Sequence, residues 1–418
     1  MPTALPVGID IGRHRHAVCL LDQAGGRVGQ PFTIPNDRAG ATALVERVAG
    51  LAPAYDDLQV GMEATGICWH HLYRTLARAP ALADHAPRLV AFNPRLIRGF
   101  RDAAPARDKT DADDAELIAE RLRFGRLPAH PAPDPRYFAL QRLTRCRFHL
   151  VATVVRTKAQ ALTSLFLAAS EYDRPAPFSD PCGATSTAVL AEFAALDALA
   201  AAPLEGLTAF IDAHGRHRFA DPAGPARLLK QVAADSFRLD AAAVEPARVV
   251  LTSALAPVRF LAGQLGALDR RIARELERFP STLLSVPGIG PVSAAGLTAE
   301  IGDVARFPDN DALAKDAGLW WPRRQSGAFA AEDRALSKAG NAYLRYYLCE
   351  AANSLRVHNE EYRRFYDRKY QEALTHAHKR ATVLTARKLV RLVYALLRTN
   401  QLYAGPGALS PQKPPRRR

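Results

Sequence analysis

The sequence predicts an α/β layered domain at the N-terminus, followed by a chain that is mostly helix. Three observations carry this. Strand-like runs alternate with helical ones over residues 1–130, the pattern of a sheet layered with helices. Apolar residues then recur at three- and four-residue steps in Arg136–Ser170 and again in 246–279. From Leu283 to Tyr403 the pattern stays mainly helical. At 418 residues the chain has room for two or three domains. A composition 48% hydrophobic and 23% charged supplies real cores and excludes a wholly disordered chain.

In chain order, LPVGIDI and HAVCLLD (within 5–22) read as two strands joined by the basic turn GRHRH, and a third short strand is expected near PFTIP. A helical stretch around Ala41–Val48 precedes LQVGMEAT as a strand, a helix over Trp69–Ala79 and RLVAFN as a further strand. HPAPDP (130–135) reads as a linker, because proline removes a donor and disfavours helix before it. The first long helix carries Leu140, Leu143, Phe148, Val151, Val155, Leu162 and Leu165 as its seam; the second carries Leu251, Leu255, Val258, Ala262, Leu265, Ile272 and Leu276. Both fit long amphipathic or coiled-coil helices, expected to pack together and to mediate self-association. Residues 171–245, rich in Ala and Pro and weakly periodic, read as a subdomain inserted in this 131–280 coiled-coil region. A C-terminal domain is expected over 281–403, and AGPGALSPQKPPRRR (404–418) as a disordered basic tail.

The charge balance is 56 Lys+Arg against 42 Asp+Glu, a net +14 that favours an anionic partner, nucleic acid first. Only nine of the cations are Lys. Arginine is the better fork for phosphate, although an Arg- and Ala-rich chain equally reflects base composition. Five scattered cysteines make neither a disulfide framework nor a zinc site and suit a reducing compartment. The N-terminus lacks the basic and apolar regions of a signal peptide, and the Ala-rich stretch Thr187–Leu204, with Glu192 and Asp197, is a poor membrane span. A bacterial cytoplasmic protein, at the nucleoid when acting and with no membrane partner, is expected.

Three motifs carry chemistry. Asp10 ends the first strand on the same face as Gly8, Glu63 closes the strand in GMEATG, and ARDKTDADDAELIAER puts Asp111 and Asp114 one helical turn apart. Carboxylates at neighbouring strand ends plus a helical pair build an oxygen cage for Mg²⁺ or Mn²⁺, the ions that serve phosphoryl transfer. Asp at a strand end also starts turns, acids suit a helix's first turn, and spacing alone does not choose between Asp111/Asp114 and Asp108/Asp111. In LLSVPGIGPVSAAGLTAEIG, Gly288 and Gly290 have the form of a hairpin between helices that offers backbone N–H groups to a DNA phosphate, or of a plain interhelical turn. In 317–348, Arg323, Arg324, Lys338 and Arg345 bracket Ser326, so that a serine hydroxyl among cations stands ready to attack a phosphodiester, although Ser-Gly is also a common turn. The histidines of Arg-His-Arg-His (13–16) and His70/His71 have no metal or triad spacing and read as surface or core residues.

These motifs, in the order GIDIGRHRHAVCLLD, GMEATG, AFNPRL, KTDADDAELIAERL, LLSVPGIG, AGLWWPRRQSG and LSKAGNAYLRYYL, resemble the insertion-sequence 110 family of transposases, the bridge-RNA-guided DEDD recombinases. The resemblance covers 5–165 and about 246–400, and 171–245 lies outside it. It implies an RNase H-like (RuvC-like) N-terminal domain, coiled-coil helices and a C-terminal transposase domain with a helix-hairpin-helix-like segment. It implies metal ligation and catalysis by Asp10, Glu63, Asp111 and Asp114, since the family pattern is Lys-Thr-Asp-x-x-Asp-Ala, and a nucleophilic Ser326 that links covalently to DNA. The implied partners are element-end and target DNA, a structured noncoding guide RNA and further copies of the chain, a dimer or a tetramer on DNA. The competing reading is a RuvC-like, structure-selective endonuclease that cuts with metal-activated water, as junction resolvases do.

Overall fold

Alternation of apolar and small residues in Ala4–Ile11 makes β1, whose first six residues are buried. The computed structural model describes residues 3–103, 110–125, 127, 134–193, 195–322, 325–326, 329–330 and 335–405. The chain divides into two units, Met1–Asp134 and Pro135–Arg418.

In the first unit, β1 is followed by β2 (Arg15–Leu20), β3 (Phe32–Pro35), α1 (Arg38–Leu51), β4 (Asp57–Glu63), α2 (Trp69–Arg78), β5 (Arg88–Phe92), α3 (Pro94–Asp102) and α4 (Asp111–Arg123). The five strands form one sheet in the order β3-β2-β1-β4-β5. The β2 and β3 pairings are antiparallel, whereas β4 runs parallel to both β1 and β5. This mixed α/β layer is compatible with the expected RNase H-like domain. Period-two alternation sorts the faces. Val7, Ile9, Val18, Leu20, Val60 and Met62 point to one side, where they pack with Leu44 and Val48 of α1 and Leu72 and Leu76 of α2. Ala17 and Cys19 point to the other side and meet Ala115 and Ala119 of α4.

The sequence reading contains no helix between the fifth strand and the acidic segment. The structure has α3 there, started by Pro94 at its first position and by Asn93, whose side chain accepts from the Arg95 N–H at 3.0 Å. A single cap and proline specify it, a signal too short for periodicity to reveal.

Among its described residues the regular structure of the second unit is helical apart from one tiny hairpin. It runs α5 (Pro135–Ala168), α6 (Ala184–Glu192), α7 (Leu196–Ala201), α8 (Leu204–His214), α9 (Ala223–Asp235), α10 (Ala241–Leu276), α11 (Pro291–Ile301), α12 (Asn310–Asp316), β6 (Gln325–Ser326), β7 (Phe329–Ala330), α13 (Ala342–His358), α14 (Glu360–Gln371) and α15 (Ala377–Thr399). The long helices α5 and α10 pack on each other, as expected. Their seam is not continuous, however. At one end Leu140, Ile272 and Leu276 enter the C-terminal core with Leu297, Leu344 and Leu389. At the other end Ala161, Leu165, Leu251, Leu255 and Val258 join a separate core. To that core α8 contributes Leu207 and Ile211, and α9 contributes Leu229 and Val232, so 171–245 packs a real core despite its weak periodicity. Between the two ends no residue of 145–160 or 259–271 is fully buried. Val155, Leu162 and Ala262, read as seam positions, are exposed. Val155 and Ala262 lie where neither core reaches, and Leu162, between the core residues Ala161 and Leu165, faces away from it; periodicity cannot see where a core stops. By length and composition α10 is long and apolar enough to cross a membrane, yet its buried residues face α5 and the two cores.

Candidate active site

The acidic cluster is built by a close approach of helix to sheet. Gly8 pairs in register with Gly61 across the parallel β1–β4 ladder. A Cβ on Gly8 would lie 2.0 Å from the Ala115 carbonyl oxygen and 2.4 Å from the Ala119 nitrogen of α4. At Gly61 it would meet Phe92 at 2.8 Å and Leu122 at 3.0 Å. Two missing methyl groups therefore set the depth at which α4 lies on the sheet. Two residues on from each glycine, on the same face, stand Asp10 and Glu63. The first turn of α4 supplies Asp111 and Asp114.

Local chemistry sorts the acids of that turn. Thr110 caps α4, accepting from the Asp113 N–H at 3.2 Å while its own hydroxyl donates back to the Asp113 carboxylate. Asp113 is thus a capping residue. Asp111 and Asp114 remain, one turn apart. Asp108 lies outside the described residues.

The field at Asp10 shows which acids converge. Burial, and then the negative charges of Asp114, Asp111 and Glu63 in that order, push its carboxyl from 3.8 up to about 6. All four sequence-predicted carboxylates therefore share one electrostatic neighbourhood. They are hard oxygen donors, the set that Mg²⁺ or Mn²⁺ takes, so their chemistry fits such an ion. Among the described residues no three of them approach closely enough to hold one ion. Asp114 accepts from Arg101 of α3 at 2.7 Å, and Glu63 accepts from the Thr65 hydroxyl at 2.7 Å. Arg101 is a neighbour that sequence reasoning misses, since nothing in its spacing distinguishes it from the other arginines of that segment. Gly8 and Gly61 are legible in part: each stands two residues before an acid at a strand end.

The remaining predicted site residues belong to the second unit. Gly288 has φ +98°, a backbone conformation that favours glycine, and a Cβ there would meet Leu355 of α13 at 3.1 Å. Gly290 caps α11, with open space where its Cβ would stand. Ser326 pairs with Phe329 across the two-residue strands β6 and β7. Arg323 and Arg324 lie outside the described residues. Lys338 is exposed, with φ +53°. Arg345 donates from Nη1 to the carbonyls of Ala317 and Lys338 at 3.0 and 3.1 Å, bracing the two ends of the segment that carries Ser326. Beneath it Glu300, whose side chain is fully buried, accepts two hydrogen bonds from Arg145, both at 2.8 Å, and one from Asn341 at 2.7 Å. This ties α5, α11 and the start of α13 together.

Comparison with known proteins decides the family. A family model described as a DEDD transposase of the IS110 type matches residues 7–167, and one described as Transposase IS116/IS110/IS902 family matches 281–367. The chain belongs to the IS116/IS110/IS902 family of transposases. The uncharacterized 44.8 kDa protein of insertion element IS116 from Streptomyces clavuligerus is 28% identical over 95% of both chains. A probable family 20 transposase from Pseudomonas aeruginosa is 27% identical over 71% of this chain and 70% of its own. The insertion element IS110 protein of Streptomyces coelicolor is 30% identical over 37% of this chain and 38% of its own. As a transposase the chain is an enzyme that acts on DNA, consistent with its net charge of +14. The first match contains all four acids of the cluster, and the second contains Gly288, Gly290, Ser326, Lys338 and Arg345.

Proposed function

We propose that this transposase recombines the DNA of its own mobile element under the guidance of a structured noncoding RNA, through a serine–DNA covalent intermediate and with divalent metal. The observation that carries the reading is the gathering of Asp114, Asp111 and Glu63 around Asp10, where burial first and then their negative charges raise its carboxyl to about 6. A site that gathers negative charge at such cost is matched to a cation. Asp10, Glu63, Asp111 and Asp114 are the residues that would hold Mg²⁺ or Mn²⁺, which when bound neutralises charge on a phosphate and activates an attacking oxygen.

Ser326 is the proposed nucleophile. Its Oγ forms a bond to phosphorus as the bond to the departing strand's oxygen breaks; the serine proton leaves to solvent and the departing oxygen takes one up. One phosphodiester is exchanged for another, so the energy for rejoining is conserved without ATP. Arg323, Arg324 and Lys338 supply positive charge for the crowded phosphate. Gly288 and Gly290 offer backbone N–H groups to DNA without reading bases. Helices α5 and α10 carry the self-association that pairing two DNAs requires, with Val155 and Phe260 exposed on them.

The test is a reaction on labelled DNA with Mg²⁺ and co-expressed RNA, stopped by denaturation. A protein–DNA adduct that disappears in Ser326→Ala while DNA binding persists is expected. Free cut ends formed by Ser326→Ala at the normal rate would return the chain to the resolvase-like mechanism. Recombination by protein free of RNA would remove the guide.

A further inference from the structure

A cavity of about 590 Å³ opens between the β2–β3 edge, α1 and α2 of the first unit. The residues that build it lie on the sheet face opposite the acids. His16 pairs with Ile11 and Ile34 and so points with Val18 toward α1 and α2, while Ala17, the partner of Asp10, points toward α4. The cavity is basic. Arg38 from the start of α1 and His71, Arg74 and Arg78 from successive turns of α2 line it. Arg38 and Arg78 are exposed and form no ion pair among the described residues. Asp37 is the opposing carboxylate, and one of its oxygens is committed to the Gly40 N–H at 2.8 Å as the cap of α1.

His16 sharpens the picture. Its side chain lines the cavity at 1% exposure, and neither ring nitrogen has a hydrogen bond. The nearby Asn36 donates through its amide nitrogen to the Gly12 and Arg13 carbonyls at 3.3 and 3.1 Å, and its side chain works against burial by raising the ring's proton affinity. Burial holds the ring below its ordinary pKa, so at neutral pH it keeps one N–H to give and one nitrogen to accept. A buried ring whose one polar neighbour, Asn36, is shared with two backbone carbonyls is left short of hydrogen bonds, at a cost a ligand can offset. The incompletely bonded ring and the Arg38 and Arg78 guanidinium groups at the mouth call for the same chemistry, an oxyanion with several acceptor oxygens.

We propose that this cavity binds a backbone phosphate of a nucleic-acid strand between Arg38, Arg74, Arg78 and His16, on the sheet face opposite the acidic cluster. The inference rests on the transposase holding nucleic acid and gives the first unit a second contact with it. Strand held on this face is held away from the carboxylates, so this is a contact for anchoring and not for cutting. DNA and RNA offer the same phosphate, and the experiment separates them.

Full-length Arg38→Glu/Arg78→Glu protein, both positions being exposed, is compared with wild type by fluorescence anisotropy on a DNA and an RNA of equal length across a salt series. For the strand that occupies the cavity, affinity should fall about tenfold or more at roughly 0.1 M salt, and the slope of log K against log salt should shrink by about one for each phosphate no longer neutralised. Loss confined to the RNA arm assigns the cavity to RNA, and loss confined to the DNA arm assigns it to DNA. His16→Phe should weaken the same arm with its salt slope unchanged, because a neutral ring releases no counterion. Unchanged affinity and slope in both arms for the Arg38→Glu/Arg78→Glu protein would overturn the proposal while leaving the transposase reading intact. Wild-type protein that binds neither strand would overturn both.

Discussion

Replacing Asp10 with asparagine should make the metal-free protein more stable at neutral pH, an unusual result for a residue at an active site. The carboxyl sits at about 6 in the folded chain against an ordinary 3.8. At 1.36 kcal/mol per pH unit, ionising it in the fold costs about 3 kcal/mol more than in the unfolded chain. Asp10 is half-buried and water screens part of this, so about 1–2 kcal/mol is expected. Because the folded carboxyl holds its proton more tightly than the unfolded one, the penalty is full above pH 6. It shrinks as pH falls through 6 and is gone below about 3.8. An amide in place of the carboxyl carries no such charge, so the advantage of Asp10→Asn should follow the same curve. The assay is urea-dependent hydrogen exchange at the β1 and α4 amides of chelated protein, at pH 7.5 and pH 4.5. Adding Mg²⁺ should then stabilise wild type and not the variant. A variant no more stable than wild type at pH 7.5, or equally favoured at both pH values, would refute the reasoning that burial and the neighbouring charges raise the Asp10 carboxyl.

Four further outcomes are expected. Gly8→Ala should lift α4 from the sheet, costing about 1–3 kcal/mol or more in thermal denaturation and abolishing DNA cleavage, since the added methyl meets backbone and not a movable side chain. Glu300→Ala should cost about 3–5 kcal/mol by leaving Arg145 without its carboxylate, and Arg145→Ala should do similar damage; a milder loss, measured by urea denaturation, would mean water reaches the pair. Val155→Glu with Phe260→Glu should break self-association by light scattering with the circular dichroism unchanged, whereas a charge at the fully buried Ile272 should damage the C-terminal core itself. Asp111→Ala should abolish activity in a strand-cleavage assay while Asp113→Ala mainly loosens the helix cap, by about 1 kcal/mol.

How much is legible in the sequence differs from element to element. β1 and β4 are readable because small and apolar residues alternate and an acid stands at or next to the last position of each, whereas the pairing of Gly8 with Gly61 is a matter of register that the structure supplies. The four carboxylates follow from types and spacing plus resemblance, but spacing on its own leaves Asp108 and Asp111 competing. What separates Asp113 from its neighbours is a hydrogen bond to Thr110, and that is readable from Thr-x-x-Asp. Arg101 is invisible because its partner Asp114 lies on another helix. His16 reads as one histidine in a basic turn; its burial follows from the β3 edge and α1 folding over it, which no local pattern encodes. The helix seam misleads in its middle for the opposite reason: a good period persists where the two helices touch but no third element closes a core over them.

That middle section gives the transposase a ruler. The stretch of α5 between its two cores, residues 145–160, is about 24 Å long at 1.5 Å per residue, and residues 259–271 of α10 run against it over about 20 Å. With no fully buried side chain in it, the spacing between the two cores is set by residue count and hardly at all by shape. Adding seven residues to each helix would move the 171–245 core outward by about 10.5 Å and turn it by only about 20°, leaving both cores chemically untouched. Reach along this axis is therefore a quantity that insertions and deletions can tune in whole heptads, independently of the acids in the first unit and of the serine in the second.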